Sequence, residues 1–506
     1  MRQGCVYLVG AGPGDPGLIT VRGRQLLEQA DIVVYDYLAS PRLLACARAD
    51  AELIYVGKKA GAHTLTQDQI NDLLVARAKK GATIVRLKGG DPYVFGRGGE
   101  EALALADAGI HFEVVPGVTA GVAAPAYAGI PVTHRHLASN FGLITGHETP
   151  DKEGSDLDYE ALARWRGTLG FYMGVRNLRP ICENLVAHGL DAETPAAIIR
   201  WGTTSRQRVL TGTAADLPDR AEQASVKPPA IILIGKVVAL RNELNWYEKR
   251  PLFGRRIVVT RARSQASKLT ARLEALGAEA VEMPAIRIEP PADPGPLDAA
   301  AADVARFDWV IFTSANGVEA FFDALARAGK DARALHACRL CAIGPATAER
   351  LGQFGLAPDL QPRKFVSTEI VKALSQAQDL TGVKILCPRA DIAPPAMIED
   401  LAARGADVCE VTAYRTVPDG AGAQRVAHML EQGQLHWITF TSSSTVKNFF
   451  NVVDPGLVQG SEVRLASIGP TTSATLAEAG FEPDVEAESH TIPGLVEAIL
   501  SNEGRT

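Results

Sequence analysis

The chain has 506 residues, too many for one ordinary core, so two to four domains are expected. A formal charge of −6 excludes a generally basic surface for nucleic acid or anionic membrane, so an acidic ligand needs local arginines. No apolar run reaches the about 18 residues of a membrane span, and the N-terminus enters a strand without a signal-peptide layout, so a cytoplasmic protein with no membrane partner is expected.

Apolar runs at 6–9, 32–35, 53–56, 83–87 and 112–115 alternate with helical stretches such as 21–29 and 67–79. Further runs follow at 142–145, 168–173, 197–200 and 230–234. Continuous apolar strands between helices predict sheets covered by helices, the α/β class. Val115-Pro116-Gly117-Val118-Thr119 reads as a turn between two lobes, about 1–116 and 117–247. The polar stretch from Asn245 to Arg250 ends at Pro251 and precedes a fresh strand at 256–260. A first domain over 1–247, a linker over 248–254 and a second domain over 255–506 are therefore expected.

The second half repeats itself. Residues 308–322 match 436–450 at seven of fifteen positions, and 339–360 match 464–485 at ten of 22. Both copies carry Ile-Gly-Pro-x-Thr, at 343–347 and 468–472. Two similar α/β lobes are predicted, with a cleft between such copies as a natural place for a large ligand. A duplication with no shared site is the plainer alternative.

The richest stretch is 83–101, an apolar strand running into Lys88-Gly89-Gly90-Asp91-Pro92 and a loop with more glycines. Glycines bring the backbone close to a small polar ligand. No Lys-Ser or Lys-Thr pair follows, and Asp91 stands where a phosphate loop avoids negative charge. A cationic or hydroxyl-bearing ligand fits better than a phosphate. Gly10-Ala11-Gly12-Pro13-Gly14-Asp15 ends the first strand, but its spacing departs from the dinucleotide-binding G-x-G-x-x-G, so a nicotinamide cofactor is disfavoured. The seven cysteines are sparse and odd in number, which predicts reduced, mostly buried thiols. Cys338 and Cys341 lack the second pair of a zinc site, and His134 and His147 lack a third ligand, so no metal is expected.

Gly10–Asp15 and Tyr35-Asp36-Tyr37-Leu38 are followed by Gly57-Lys58-Lys59 with His63, and by 85–101. Then come 115–120, 129–135, Thr145-Gly146-His147 and Phe171-Tyr172-Met173-Gly174. In this order and spacing, residues 1 to about 247 resemble the tetrapyrrole methylases, most nearly the uroporphyrinogen-III C-methyltransferases. The resemblance implies two α/β lobes with S-adenosylmethionine folded between them. It assigns the cofactor to Pro13, Gly89, Gly90, Asp91, Val94, Thr119, Ala120, Met173 and Gly202. Asp36 falls at the proposed proton acceptor and Lys58 at the proposed donor; a strand-end cap and a solvated charge are the plainer readings. A substrate with eight carboxylates calls for bidentate arginines, and Arg22, Arg97 and Arg135 are candidates, with His134 and His147 weaker ones. Homodimerisation through this half is also implied.

Residues from about 253 to 500 resemble the uroporphyrinogen-III synthases, on 259–263, 311–314, 342–347, 411–416, 440–443 and 468–472. The implied fold has two α/β lobes joined by a two-stranded connection near 282–288 and 411–416. Lobe one takes about 255–283 plus 416–506, and lobe two about 288–411. That family closes linear hydroxymethylbilane into a ring with ring D inverted, needing steering more than acid–base power and no cofactor. Tyr414 falls at a recurring tyrosine that can assist loss of the hydroxyl, or is a packed aromatic. Ser314, Thr347, Ser442, Thr471 and Thr472 offer hydroxyl and N–H groups to carboxylates, and also suit helix capping. Arg261 and Arg389 are candidate clamps. The two resemblances together imply one enzyme that makes uroporphyrinogen III and methylates it twice to precorrin-2, towards sirohaem or corrinoids. A methyltransferase with a non-catalytic, tetrapyrrole-binding second half is the alternative.

Overall fold

The computed structural model describes residues 4–48, 50–57, 65–147, 157–260, 263–283, 286–362, 367–418 and 421–504. It divides into two compact units, one of 1–257 with 271–280 and 499–506, the other of 258–270 with 281–498.

The first ten strands are β1 (Cys5–Gly10), β2 (Ile32–Tyr35), β3 (Glu52–Tyr55), β4 (Thr83–Lys88), β5 (His111–Val115), β6 (Phe141–Thr145), β7 (Thr168–Tyr172), β8 (Pro195–Arg200), β9 (Arg208–Thr213) and β10 (Ala230–Ile234). One sheet runs β3-β2-β4-β1-β5 with every pair parallel. Its inner strands β1 and β2 are largely apolar on both faces because both faces are covered. Val6, Leu8 and Val34 pack on one side with Leu74 and Leu105, and Val9, Val33 and Leu87 on the other with Leu26 and Leu27. The covering helix Gln67–Lys79 starts at a Thr66–Gln69 capping box and buries Ile70, Leu74 and Ala78, one residue per turn. The next sheet, β6-β7-β10-β8-β9, is mixed: β6 and β7 are parallel and the remaining pairs antiparallel.

Every apolar run in the first half lies on a strand of these sheets, but β9 escapes the sequence reading. Its residues, R-V-L-T-G-T, are part-exposed at an edge, so they show no continuous apolar run.

The remaining strands are β11 (Arg256–Val259), β12 (Glu279–Glu282), β13 (Ile286–Glu289), β14 (Trp309–Phe312), β15 (Arg339–Ala342), β16 (Lys384–Ala390), β17 (Asp407–Pro418), β18 (Trp437–Phe440), β19 (Arg464–Ser467) and β20 (Val485–Glu486). They form sheets ordered β12-β11-β18-β19-β20 and β13-β17-β16-β14-β15. β13 and β17 pair antiparallel, Ile288 opposite Thr416, at the segments where paired crossing strands are expected. No helix among the described residues is long and apolar enough to cross a membrane.

The repeat survives as matched packing. Parallel pairs β14–β15 and β18–β19 set Trp309 opposite Arg339 and Trp437 opposite Arg464, with each guanidinium over its ring at 5.8 and 4.3 Å. Asp359 and Asp484 accept from the backbone N–H of the residue after each arginine, Leu340 and Leu465, at 2.7 Å. Phe312 meets Phe321 edge-on at 5.6 Å, and Phe440 meets Phe449 at 5.5 Å. All four rings are fully buried. Phe312→Ala and Phe440→Ala are each expected to lower the stability of the second unit by about 3–5 kcal/mol, read from the shift of the urea midpoint; a loss below 1 kcal/mol at either site contradicts this packing.

Candidate active site

Neighbouring strands β4, β1 and β5 end together, and their following loops meet backbone to backbone. Gly12 and Gly90 exchange two hydrogen bonds, of 3.2 and 2.8 Å. A side chain on Gly10 would put its Cβ 2.5 Å from Gly117 Cα, and one on Gly117 would lie 2.2 Å from the Gly90 carbonyl oxygen. Gly90 has φ of +69°, a conformation that glycine adopts freely. The glycines predicted to approach a ligand therefore first approach each other.

Asp91 ties this crossing. Its Oδ1 accepts from Tyr93 and Val94 N–H at 2.8 and 3.1 Å, and its Oδ2 accepts from Gly117 N–H at 2.9 Å. The carboxylate thus orders the loops first and keeps only its remaining lone pairs for a ligand. Gly90 abuts Thr119 and Ala120, where the helix Ala120–Tyr127 begins, and Gly202 packs against Ala124 of that helix. The Tyr172 hydroxyl bonds Thr119 Oγ1 and Gly121 N–H, which places Met173 beside the same turn. Burial raises the Tyr172 phenol above its ordinary pKa. Asp15 N–H donates to Thr203 Oγ1 at 3.1 Å, and Tyr127 O–H donates to Asp15 Oδ2 at 2.8 Å. Each expected cofactor residue, Pro13 included, thus lies in or beside this connected set of loops.

The backbone here is strained. Phe95, Arg97, Met173, Trp201 and Thr203 have φ between +49° and +70°, five of the six such non-glycine residues among those described. The left-handed region costs about 1–2 kcal/mol per residue, and such residues gather where geometry serves a ligand. Sequence offered no sign of these conformations. Met173 is 52% exposed and Tyr37 57%, and Leu38, Tyr93 and Phe95 are exposed too. Phe95 packs on Tyr172 at 4.9 Å and Tyr37 on Trp201 at 5.8 Å.

Asp36 follows β2. Its Oδ1 accepts from Leu38 N–H at 3.1 Å and its Oδ2 from Arg86 Nη2 at 3.3 Å. Arg86 and Lys88 are buried on β4, and both bind the fully buried Glu101. Desolvation, with Arg86 adding repulsion, pushes the Lys88 ammonium pKa down. The sequence reading passed over this network; its available signal was two cations on a strand otherwise apolar. Lys58 and His63 lie outside the described residues.

The expected arginine clamps differ. Arg22 forks onto Glu113 at 3.0 and 2.8 Å, and Arg97 onto Glu100 at 2.8 and 2.7 Å, all at the surface. Arg135 is exposed with no partner among the described residues, beside exposed His134; His147 is exposed as well.

In the second unit, Ser314 caps helix Ala315–Arg327 by accepting from Gly317 N–H at 3.0 Å, and its Oγ lies 3.0 Å from the Tyr414 hydroxyl. Ser442 caps helix Ser443–Phe450 in a box with Thr445. Gly344-Pro345 and Gly469-Pro470 start helices Pro345–Gln353 and Pro470–Glu478 without a side-chain cap. Thr347 and Thr472 are buried while Thr471 is exposed. Arg389 corrects an expectation. It is 2% exposed, its Nη1 bonds Glu410 at 2.8 Å and its Nη2 bonds the Pro394 carbonyl at 2.7 Å, so it offers no free fork to a carboxylate. Arg261 lies outside the described residues.

The chain is similar to known proteins over two stretches. Residues 5–218 match the family of tetrapyrrole (corrin/porphyrin) methylases, and 267–497 match that of uroporphyrinogen-III synthase HemD. The porphyrin biosynthesis protein HemD of Ruminiclostridium josui is 37% identical over 506 residues, covering 100% of this chain and 99% of that one. The uroporphyrinogen-III C-methyltransferase of Bacillus subtilis (strain 168) is 46% identical over 337 residues, 67% of this chain and 69% of that one. The S-adenosyl-L-methionine-dependent uroporphyrinogen III methyltransferase of Methanosarcina barkeri (strain Fusaro / DSM 804) is 54% identical over 243 residues, 48% of this chain and 95% of that one.

Gly117→Ala is expected to destabilise the first unit by about 1–3 kcal/mol, because neither the Gly90 carbonyl nor Gly10 can yield. Differential scanning calorimetry checks this; an unchanged transition removes the glycine crossing as a constraint.

Proposed function

Because this chain belongs to the family in which a tetrapyrrole methylase is joined to a uroporphyrinogen-III synthase, and so carries both activities, we propose that it makes precorrin-2 in two stages. The second unit cyclises hydroxymethylbilane to uroporphyrinogen III with inversion of ring D. The first unit then methylates that product twice, at the entry to sirohaem and corrinoids. The product of one stage being the substrate of the other supports the pairing. The proposed domain limits are 1–247 and 255–506, with homodimerisation through the first.

The observation that carries the methylation reading is the Asp91-tied glycine crossing beside exposed, strained Met173. Backbone groups, a carboxylate and apolar side chains suit an adenosyl group bearing a sulfonium, and no phosphate-binding lysine stands in the loop. Gly89, Gly90, Asp91, Thr119 and Ala120 would hold it, with Met173 on its open side. When bound, S-adenosylmethionine supplies an electrophilic methyl group to an electron-rich ring carbon. Asp36 accepts the proton the ring then releases, and Lys58 is its proposed counterpart. Tyr37, Leu38, Tyr93 and Phe95 offer apolar surface to the pyrrole rings of a macrocycle. Arg135, without a partner among the described residues, would take a peripheral carboxylate; Arg22 and Arg97 are at the surface, where ion pairs exchange readily.

For ring closure, the substrate must lose its hydroxyl as water while a carbon–carbon bond forms at the terminal ring. The Tyr414 hydroxyl, held by Ser314, is a donor for that leaving group. Ser442, Thr347, Thr471 and Thr472 mark helix-start turns, the kind of place where substrate carboxylates are held.

The chain fed hydroxymethylbilane alone is expected to give the type III isomer, and with S-adenosylmethionine a product heavier by two methyl groups. Type I product at the spontaneous rate ends the synthase reading, and no gain in mass ends the methylation reading. Asp36→Ala and Lys58→Ala are expected to lower methylation by about 100-fold while sparing ring closure. Tyr414→Phe is expected to slow ring closure at least about tenfold while sparing methylation; loss of both activities in any of the three contradicts the assignment.

A further inference from the structure

Glu101 is a fully buried carboxylate in the first turn of helix Gly98–Asp107, and the chemistry above makes no use of it. Its Oε1 accepts from Lys88 Nζ at 2.7 Å, from Arg86 Nε at 3.2 Å and from Gln67 Nε2 at 3.3 Å. Its Oε2 is buried without a partner. Arg86 and Lys88 are each only 3% exposed. Such a group survives burial only where opposite charges face it. Two cations against one acid leave a surplus positive charge, and its further outlet is Asp36, reached by Arg86 Nη2 at 3.3 Å. The remaining Arg86 nitrogen donates to the Leu87 carbonyl at 3.1 Å and, at the limit of a bond, to that of Val34 at 3.5 Å. Arg86 is thus held along its length and presents one fixed N–H pair outwards. Of the four charged groups, only Asp36 retains appreciable access to solvent, with a quarter of its side chain exposed. The Lys88–Glu101 bond also brackets the loop that carries Asp91, since Lys88 ends β4 immediately before Gly89.

We propose that Glu101 is a positioning residue for methyl transfer: by balancing Arg86 and Lys88 it fixes the Asp36 carboxylate at the edge of the ligand loops. This rests on the reading of Asp36 as proton acceptor. Without the Glu101 charge, two buried cations face Asp36 alone and draw it inwards. A displacement of about an ångström at a reacting group costs up to about 100-fold in rate.

The test uses the full chain and steady-state methylation of uroporphyrinogen III, with S-adenosylhomocysteine affinity measured by calorimetry. Glu101→Gln keeps the shape and removes the charge. It is expected to lower kcat at least about tenfold while KM for S-adenosylmethionine and the calorimetric affinity change by less than about threefold. Lys88→Met combined with Glu101→Gln removes one charge of each sign and is expected to recover kcat to within about threefold of the unaltered chain. A purely structural role for Glu101 predicts no such recovery. Glu101→Gln with unchanged kcat overturns the proposal, as does a double variant that is no faster than the single one or fails to fold. Should Glu101→Gln alone fail to fold, the double variant decides. Asp36→Asn separates the two readings: unchanged kcat there removes the proton acceptor, whereas a low kcat there beside an active Glu101→Gln removes only the Glu101 proposal.

Discussion

Three adjacent parallel strands in the first unit end in loops that touch backbone to backbone at Gly10, Gly90 and Gly117, and the rest of that unit is arranged around this contact. No side chain fits between the loops, so their peptide groups pack directly on one another. Asp91 makes the arrangement rigid by accepting three backbone N–H groups at once, which a neutral side chain does less strongly. The surrounding left-handed residues are held against their preference by the packing of Tyr172, Tyr37 and Thr203. Packing energy from the sheets is thereby stored as local strain at the place where a ligand is expected.

Charge in this unit is handled by two different rules. At the surface, Arg22 and Arg97 form forks with glutamates that solvent can replace. In the interior, Arg86 and Lys88 face the buried Glu101, and each depends on the others because water cannot substitute; the half-buried Asp36 takes the remaining charge. The second unit shows the same contrast, with Arg389 spent on Glu410 and a carbonyl rather than offered outwards.

The second unit reaches its form by duplication. Two strand–helix modules keep the same tryptophan–arginine stack, the same aspartate on a backbone N–H and the same edge-on phenylalanines. What differs is the hydroxyl network at the helix starts. Ser314 meets Tyr414, brought by the long strand β17, whereas Ser442 meets Ser444 and Thr445 of its own helix. A repeated scaffold has thus acquired one distinctive hydroxyl pair without disturbing its core.

Much of this was legible in the order of residues. Apolar periodicity marks the strands, the repeat announces the two modules, and glycines beside Asp91 mark loops in close backbone approach, because burial and such approach each demand a residue type at a position. The edge strand β9 was not legible, since a part-exposed strand carries no apolar signature. Neither were the partners of charged and hydroxyl groups. Asp15 meets Thr203 from 188 positions away, Ser314 meets Tyr414 from 100, and Arg86 meets both Asp36 and Glu101 across different elements. Composition and spacing thus settled the buried strands and the repeated modules, while only the tertiary structure decided which arginines are spent on partners, because ion pairing depends on distances that the fold alone creates.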